Sequence, residues 1–165
     1  MMYMDDAPFE VIDMEVAPCD DQIGGDVIDA ASKVRFTVAK VSVRKNKDIV
    51  SLNVQAKVGP LGTNGDGKYS GKVLFGEMII DFDKDQRTSD WWKKQARFTW
   101  KQFMSAMALD PKAPPRINDT FLTSLNGMDF IADIKKAEIR VKGSDGTYAG
   151  TGDFKNELAN YKKAN

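Results

Sequence analysis

The chain has 165 residues, 29% of them charged and 42% hydrophobic, with 24 basic and 24 acidic residues and no net charge. That size suits one domain with a real core, and the balance excludes fibrous and mostly disordered classes. There is no histidine, which removes the commonest general base and zinc ligand, and the one cysteine, Cys19, cannot form an internal disulfide.

No apolar run approaches the ~18 residues of a membrane span. The N-terminus lacks the basic start and apolar stretch of a signal peptide, so a reducing interior is expected. The zero net charge hides an imbalance. Residues 1–32 hold nine acids and no Lys or Arg, a charge of −9; the remainder holds all 24 basic residues and the other 15 acids, +9. Residues 1–31 therefore read as an acidic arm, extended or poorly ordered, either with "FEVIDMEV" pairing or docking locally or as a plain solubilising terminus.

"KVRFTVAKVSVR" (33–44) reads as a strand whose inward parity shifts between Val38 and Val41, so a bulge near Ala39 is expected. "KNK" is a tight turn. "DIVSLNVQAKV" (48–58) is a clean strand, with Val50, Leu52, Val54, Ala56 and Val58 facing in and Ser51, Asn53, Gln55 and Lys57 facing out. A glycine-rich loop, 59–71, leads to a third strand, "KVLFGEMIIDF" (72–82). Gly76 within it signals a bulge or a close backbone approach.

A helix follows over about 88–109, capped by Ser89 or Asp90. Trp92, Ala96, Thr99, Trp100, Phe103, Met104 and Met107 share one broad stripe, the expected core face. Trp91 and Phe98 point the other way, beside Lys94 and Lys101. Three partners fit that second face: a nucleic-acid path, another copy or protein, or a covering by the proline linker "DPKAPPR" or the acidic arm. "NDTFLTSLNG" is a short capped helix ending at Gly127. "MDFIADIKKAEIRV" (128–141) is a long strand, turning at Asp145-Gly146 into a glycine-weakened last strand, "TYAGTGDF". "NELANYKKAN" reads as a frayed helix or a tail, which leaves 158–165 outside a folded domain of 32–157.

Three strands, a helix and two strands, with a bent first strand, outline a mainly β, five-stranded Greek-key barrel of the OB type. An unrelated α+β sandwich gives the same string.

Three motifs compete for chemistry. "GTNGDGK" satisfies G-x-x-x-x-G-K, but Tyr69 stands where Ser or Thr should hold magnesium, and the segment enters a strand rather than a helix. Asp81, Asp83 and Asp85 alternate and, helped by Glu77 or Glu138, would suit a metal-dependent nuclease. As a calcium loop they fail at Gln86 and Trp92. The third candidate is distributed: Arg35, Lys40, Arg44, Lys45 and Lys47 on the first strand and its turn; Lys57 on the second; Lys68, Tyr69, Lys72 and Phe75 at the glycine loop and third strand; Trp91 and Lys94 on the helix; Lys135, Lys136, Arg140, Lys142 and Tyr148 on the last hairpin. Single-stranded nucleic acid needs this mixture, cations for phosphates and flat rings for bases.

The segments "KVRFTVAKVSVRKNKDIVSLNVQAKV", "GKVLFGEMIIDF", "LNGMDFIADIKKAEIRV" and "DGTYAGTGDFKNELANYKK" together resemble the OB-fold single-stranded-DNA-binding proteins of bacteriophages, over residues 32–162. The resemblance implies sequence-tolerant binding in a barrel groove, no cofactor and no catalysis. It also implies a role in replication, recombination or repair in the host cytoplasm, with viral or host replication proteins, or a second copy, as partners. Those proteins commonly carry an acidic C-terminal tail. Here the chain ends in "NYKKAN" and the acid lies at the other end: either the N-terminal arm has taken over that job, or recruitment works differently, or the tail analogy does not hold. From the −9/+9 split, the arm is expected to lie on the basic groove when DNA is absent and to be displaced by it. A protein-only assembly or adaptor module is the alternative outside enzymes.

Overall fold

A computed structural model describes residues 27–82 and 84–164. The expected arm pairing of "FEVIDMEV" lies outside them. Five strands and two helices are present: β1 (Ala31–Asn46), β2 (Ile49–Val58), β3 (Val73–Asp81), α1 (Asp90–Ala106), α2 (Asp119–Ser124), β4 (Asp129–Lys142) and β5 (Tyr148–Lys163). They build one antiparallel sheet in the order β3-β2-β1-β4-β5. Among the described residues no helix is long and apolar enough to cross a membrane.

The alternation in β1 and β2 sets the register. Phe36, Val38 and then Val41 face the core opposite Val58, Ala56 and Val54, and Val34 faces it opposite Ala132 of β4. The pairing slips between Val38 and Lys40, the bulge that the parity shift required. Val38 itself stays paired with Ala56, and its other side bonds to the turn before β4. Its N–H donates to Met128 O at 2.8 Å, and its O accepts from Gly127 N–H at 2.8 Å. Gly127 has φ +84, a left-handed turn that a side chain would resist.

The core is built on four rings from four elements. Phe36 of β1 stacks on Phe130 of β4 at 5.4 Å, and Phe103 of α1 meets Phe130 at 6.3 Å and Tyr161 of β5 at 5.6 Å, both edge-on. Full burial of a ring of this size contributes ~1.5–3 kcal/mol. Ser89 caps α1, its Oγ accepting the Trp92 N–H at 3.2 Å, and Asn118 caps α2 in the same way. Burial in α1 is confined to its last turns: Phe103, Met104, Ala106 and the C-cap Met107. The expected core face is thus only half right. Trp92, Ala96, Thr99 and Trp100 are only half-buried. Trp92 there packs edge-on against Phe82, just beyond β3.

The last strand is longer than its sequence suggests. The residues expected to be a tail continue β5 to Lys163 and place Leu158 and Tyr161 on the core. Bulges between Phe154 and Gly150, and between Lys162 and Ala159, break the alternation that would have revealed them. Asn160 in the second bulge has φ 56.

The edge strands β3 and β5 approach each other at Gly76. A Cβ there would lie 2.5 Å from Tyr161 Oη and 3.3 Å from Leu158 Cδ1. Gly76 thus marks a close approach, made by a ring. Among the described residues no ladder joins these two edges.

Candidate nucleic-acid interface

The outer face of the β1–β2–β3 meander is read directly from its register. Opposed residues share a face, so Thr37, Lys57 and Val73 form one cross-strand row and Lys40, Gln55 and Phe75 the next. Ser42, Asn53 and Glu77 follow, then Arg44, Ser51 and Ile79. Cations at Arg35, Lys40, Arg44 and Lys57 thus share one surface with the side-chain amides of Asn53 and Gln55. Phe75 stands in its middle, 51% exposed.

Two acids temper that surface. Asp129 accepts from Thr37 Oγ1 at 2.6 Å and from Arg35 Nε and Nη2 at 3.1 and 2.8 Å. The Thr37 hydrogen bond first, and the guanidinium second, hold its carboxyl below the usual range. Glu77 accepts from Ser51 Oγ at 3.0 Å, which leaves Ser51 buried although it faces outward.

The β1–β2 turn carries Lys45, opposite Val50, and Lys47, which adopts φ 57. The glycine loop is folded on itself. Gly67 N–H donates to Leu61 O, Thr63 N–H to Lys68 O, and Lys72 N–H to Tyr69 O. It opens into β3, as the failed phosphate-loop pattern required. Tyr69, expected to stack on bases, is half-buried against the core with φ 62, and Lys68 Nζ sits 5.1 Å above its ring. Lys68 also reaches Asp29 at 3.6 Å. Lys72 is half-buried.

Beyond Ile134 the β4–β5 hairpin loses its core. β4 keeps strict alternation, so Lys136, Glu138, Arg140 and Lys142 share one face with their partners Asn156, Phe154, Gly150 and Tyr148. Tyr148 is 61% and Phe154 43% exposed, and Lys136 Nζ lies 5.2 Å over the Phe154 ring. Arg140 Nη2 donates to Tyr148 O at 3.2 Å. The bend is held by Asp145, whose carboxylate accepts from the Thr147 hydroxyl and N–H and is thereby pulled below the ordinary range.

By parity this face continues the core side of β4, whereas the meander face continues the side of Asp129, Ile131 and Lys135. The predicted residues therefore gather in two patches: Arg35, Lys40, Arg44, Lys57 and Phe75 on one face, Arg140, Lys142 and Tyr148 on the other. Lys135 stands on the meander's side of the sheet, opposite Glu157, which itself pairs with Lys155 at 3.2 Å. Phe154 was not foreseen. Its parity is hidden by the bulge at Gly152, which has φ +80.

Trp91 and Phe98 are 71% and 56% exposed on α1. The proline linker does not cover them. It runs along the other flank of the helix, where Pro111, Pro114 and Lys112 line a groove of about 530 Å³ with Ile80, Phe82 and Trp100.

The acidic triad is not assembled as a site by the residues described. Asp85 is 1% exposed and gripped by Arg87. Its Oδ1 accepts from Nε at 2.8 Å and from the backbone N–H at 2.9 Å, and its Oδ2 accepts from Nη2 at 2.7 Å. These bonds hold its pKa down at about 2. Asp83 lies outside the described residues. Among the described residues no three His, Cys, Asp or Glu side chains cluster to hold a metal ion.

The molecule thus belongs to the class of five-stranded antiparallel sheets with a helix between strands three and four, carrying basic and aromatic residues on its outer surfaces. No protein-family model matches the chain, and no curated protein matches it.

Proposed function

We propose that the protein is a sequence-tolerant single-stranded-DNA-binding protein on an OB-type barrel. The observation that carries this reading is the meander face, with four cations, two amides and one exposed ring on three paired strands. Phosphates meet Arg35, Lys40, Arg44 and Lys57, and a base stacks on Phe75. Stacking is worth ~1–3 kcal/mol per base and is indifferent to sequence, because every base has a π-face. The distal hairpin supplies a second contact through Lys136, Arg140, Lys142, Tyr148 and Phe154. Closure of the barrel rests on the approach of β5 to β3 at Gly76.

The resemblance to bacteriophage DNA-binding proteins supports a place in viral replication, recombination or repair, in the cytoplasm of an infected host. In this reading the protein is not an enzyme. Incubating single-stranded DNA with magnesium or manganese leaves it intact, and cleavage lost on Asp81→Asn would instead favour the nuclease.

The deciding measurement is a binding isotherm with a short oligodeoxythymidylate at two salt concentrations. Affinity falls with salt, with a log–log slope of about −0.7 for each phosphate neutralised. The double variant Lys40→Ala, Lys57→Ala flattens that slope. Absence of any salt-dependent affinity sinks the reading and favours a protein-only module.

A further inference from the structure

A second surface lies on the flank of α1 that faces the end of β5. A groove of about 340 Å³ is lined by Phe98, Lys101, Gln102, Ser105, Ala106, Tyr161, Lys162 and Lys163. Three lysines border it and no acid does. Phe98, 56% exposed, gives it an apolar side. Asp133, which feels the charge of Lys162, is already bonded to Asn160 Nδ2 at 2.7 Å and Lys33 N–H at 2.8 Å. The groove therefore suits a segment that alternates carboxylates with apolar side chains.

The chain contains one such segment. Residues 1–26 hold eight acids and no Lys or Arg, and "FEVIDMEV" at 9–16 sets Phe9, Val11, Ile12, Met14 and Val16 among Glu10, Asp13 and Glu15. The structure also shows where this part of the chain joins the body. Ile28 is buried, and its N–H and C=O are both held by the Asn156 side chain at 2.9 Å, on β5 itself. From Asn156 to Lys163 the strand runs seven residues, about 23 Å. The twelve residues from Val16 to Ile28 span up to about 40 Å when extended, so "FEVIDMEV" reaches the groove. Tethering gives it an effective concentration in the millimolar range for short spans, which an untethered ligand of the same chemistry must exceed.

We propose that residues 9–16 dock in the α1–β5 groove of their own chain, apolar side chains against Phe98 and carboxylates against Lys101, Lys162 and Lys163. The occupant is thereby placed on a surface separate from the meander face, and the inference goes beyond the DNA-binding reading without depending on it.

Cys19, the single cysteine, allows a direct test in the full-length protein without nucleic acid. A nitroxide on Cys19 is expected to broaden the amide signals of Phe98–Ser105 and Tyr161–Lys163. The broadening is lost in the exposed-surface variant Phe98→Ala, Lys101→Glu. It also weakens at about 1 M salt, where the screening length is about 3 Å. Broadening of β1–β3 signals instead, or of none, overturns the proposal. So does broadening that persists when spin-labelled, unenriched molecules are mixed with isotope-enriched, unlabelled ones, which assigns the groove to a second copy's arm. Because no oligonucleotide is present, these failures leave the DNA-binding reading standing.

Discussion

The two ends of the β4–β5 hairpin share one antiparallel ladder and have opposite surroundings. Near its base, Phe130, Ala132, Ile134 and Tyr161 are buried under α1. Beyond Lys135, Tyr148, Phe154, Ile139 and Val141 are exposed. Backbone pairing is the same in both halves, so pairing does not decide what a strand is for. What lies over its face decides it: at the base a helix and a second sheet edge, at the tip solvent. Substitutions at the base should therefore change stability, and substitutions at the tip should change binding alone.

The largest expected effect is at the base. Phe130→Ala removes a ring in contact with Phe36, Phe103 and Tyr161 and should cost ~3–5 kcal/mol in a urea titration. A cost like that of a surface change would mean that the rings do not form the core. Gly76→Val comes next. Its Cβ would strike the Tyr161 hydroxyl, a ring end held by the core, and a loss of ~1–3 kcal/mol is expected from overpacking. Unchanged stability would show that β3 and β5 do not approach there.

At the tip the comparison inverts. Tyr148→Ala and Phe154→Ala should leave the urea midpoint unchanged while each weakens oligodeoxythymidylate binding by ~1–3 kcal/mol. A lower midpoint with intact binding would make the tip structural.

A smaller, pH-dependent effect separates the acidic turn from both. The pKa of Asp85 is about 2, against an ordinary 3.8, because Arg87 favours the ionised form. A carboxyl depressed in this way contributes stability that is present above the unfolded value and lost as pH falls through the folded one. Acid unfolding curves should therefore show a loss between about pH 4 and pH 2 that Arg87→Ala diminishes. The smallest effect is Tyr161→Phe. Burial raises the pKa of its hydroxyl, which has no protein partner among the described residues. Removing it should be neutral or slightly stabilising by thermal melting.

Much of the frame was legible in the chain. Alternation located the strands, the parity shift at Ala39 located the bulge, and Ser89 and Asp145-Gly146 marked a cap and a turn. The meander half of the candidate site followed from the same alternation, since Lys40, Lys57 and Phe75 occupy outward positions. Tyr69 is less open than its place in the glycine loop suggests: it has a left-handed backbone, and its ring is half-buried against the core. Phe154 and Tyr161 were missed because bulges at Gly152 and Asn160 reverse parity without a sequence signal comparable to two consecutive apolar residues.

What the sequence determined by itself was local: which stretches pleat, where they turn, and how the charge divides between an acidic start and a basic remainder. Those follow from steric preference and side-chain period, which act over a few residues. Only the tertiary structure decided that β5 returns to seat Tyr161 over Gly76, that α1 buries only its last turns, and that the cations fall on two faces instead of one. Each depends on which distant strand covers which surface. That is settled by packing between residues some 85 to 128 apart, which no local pattern encodes.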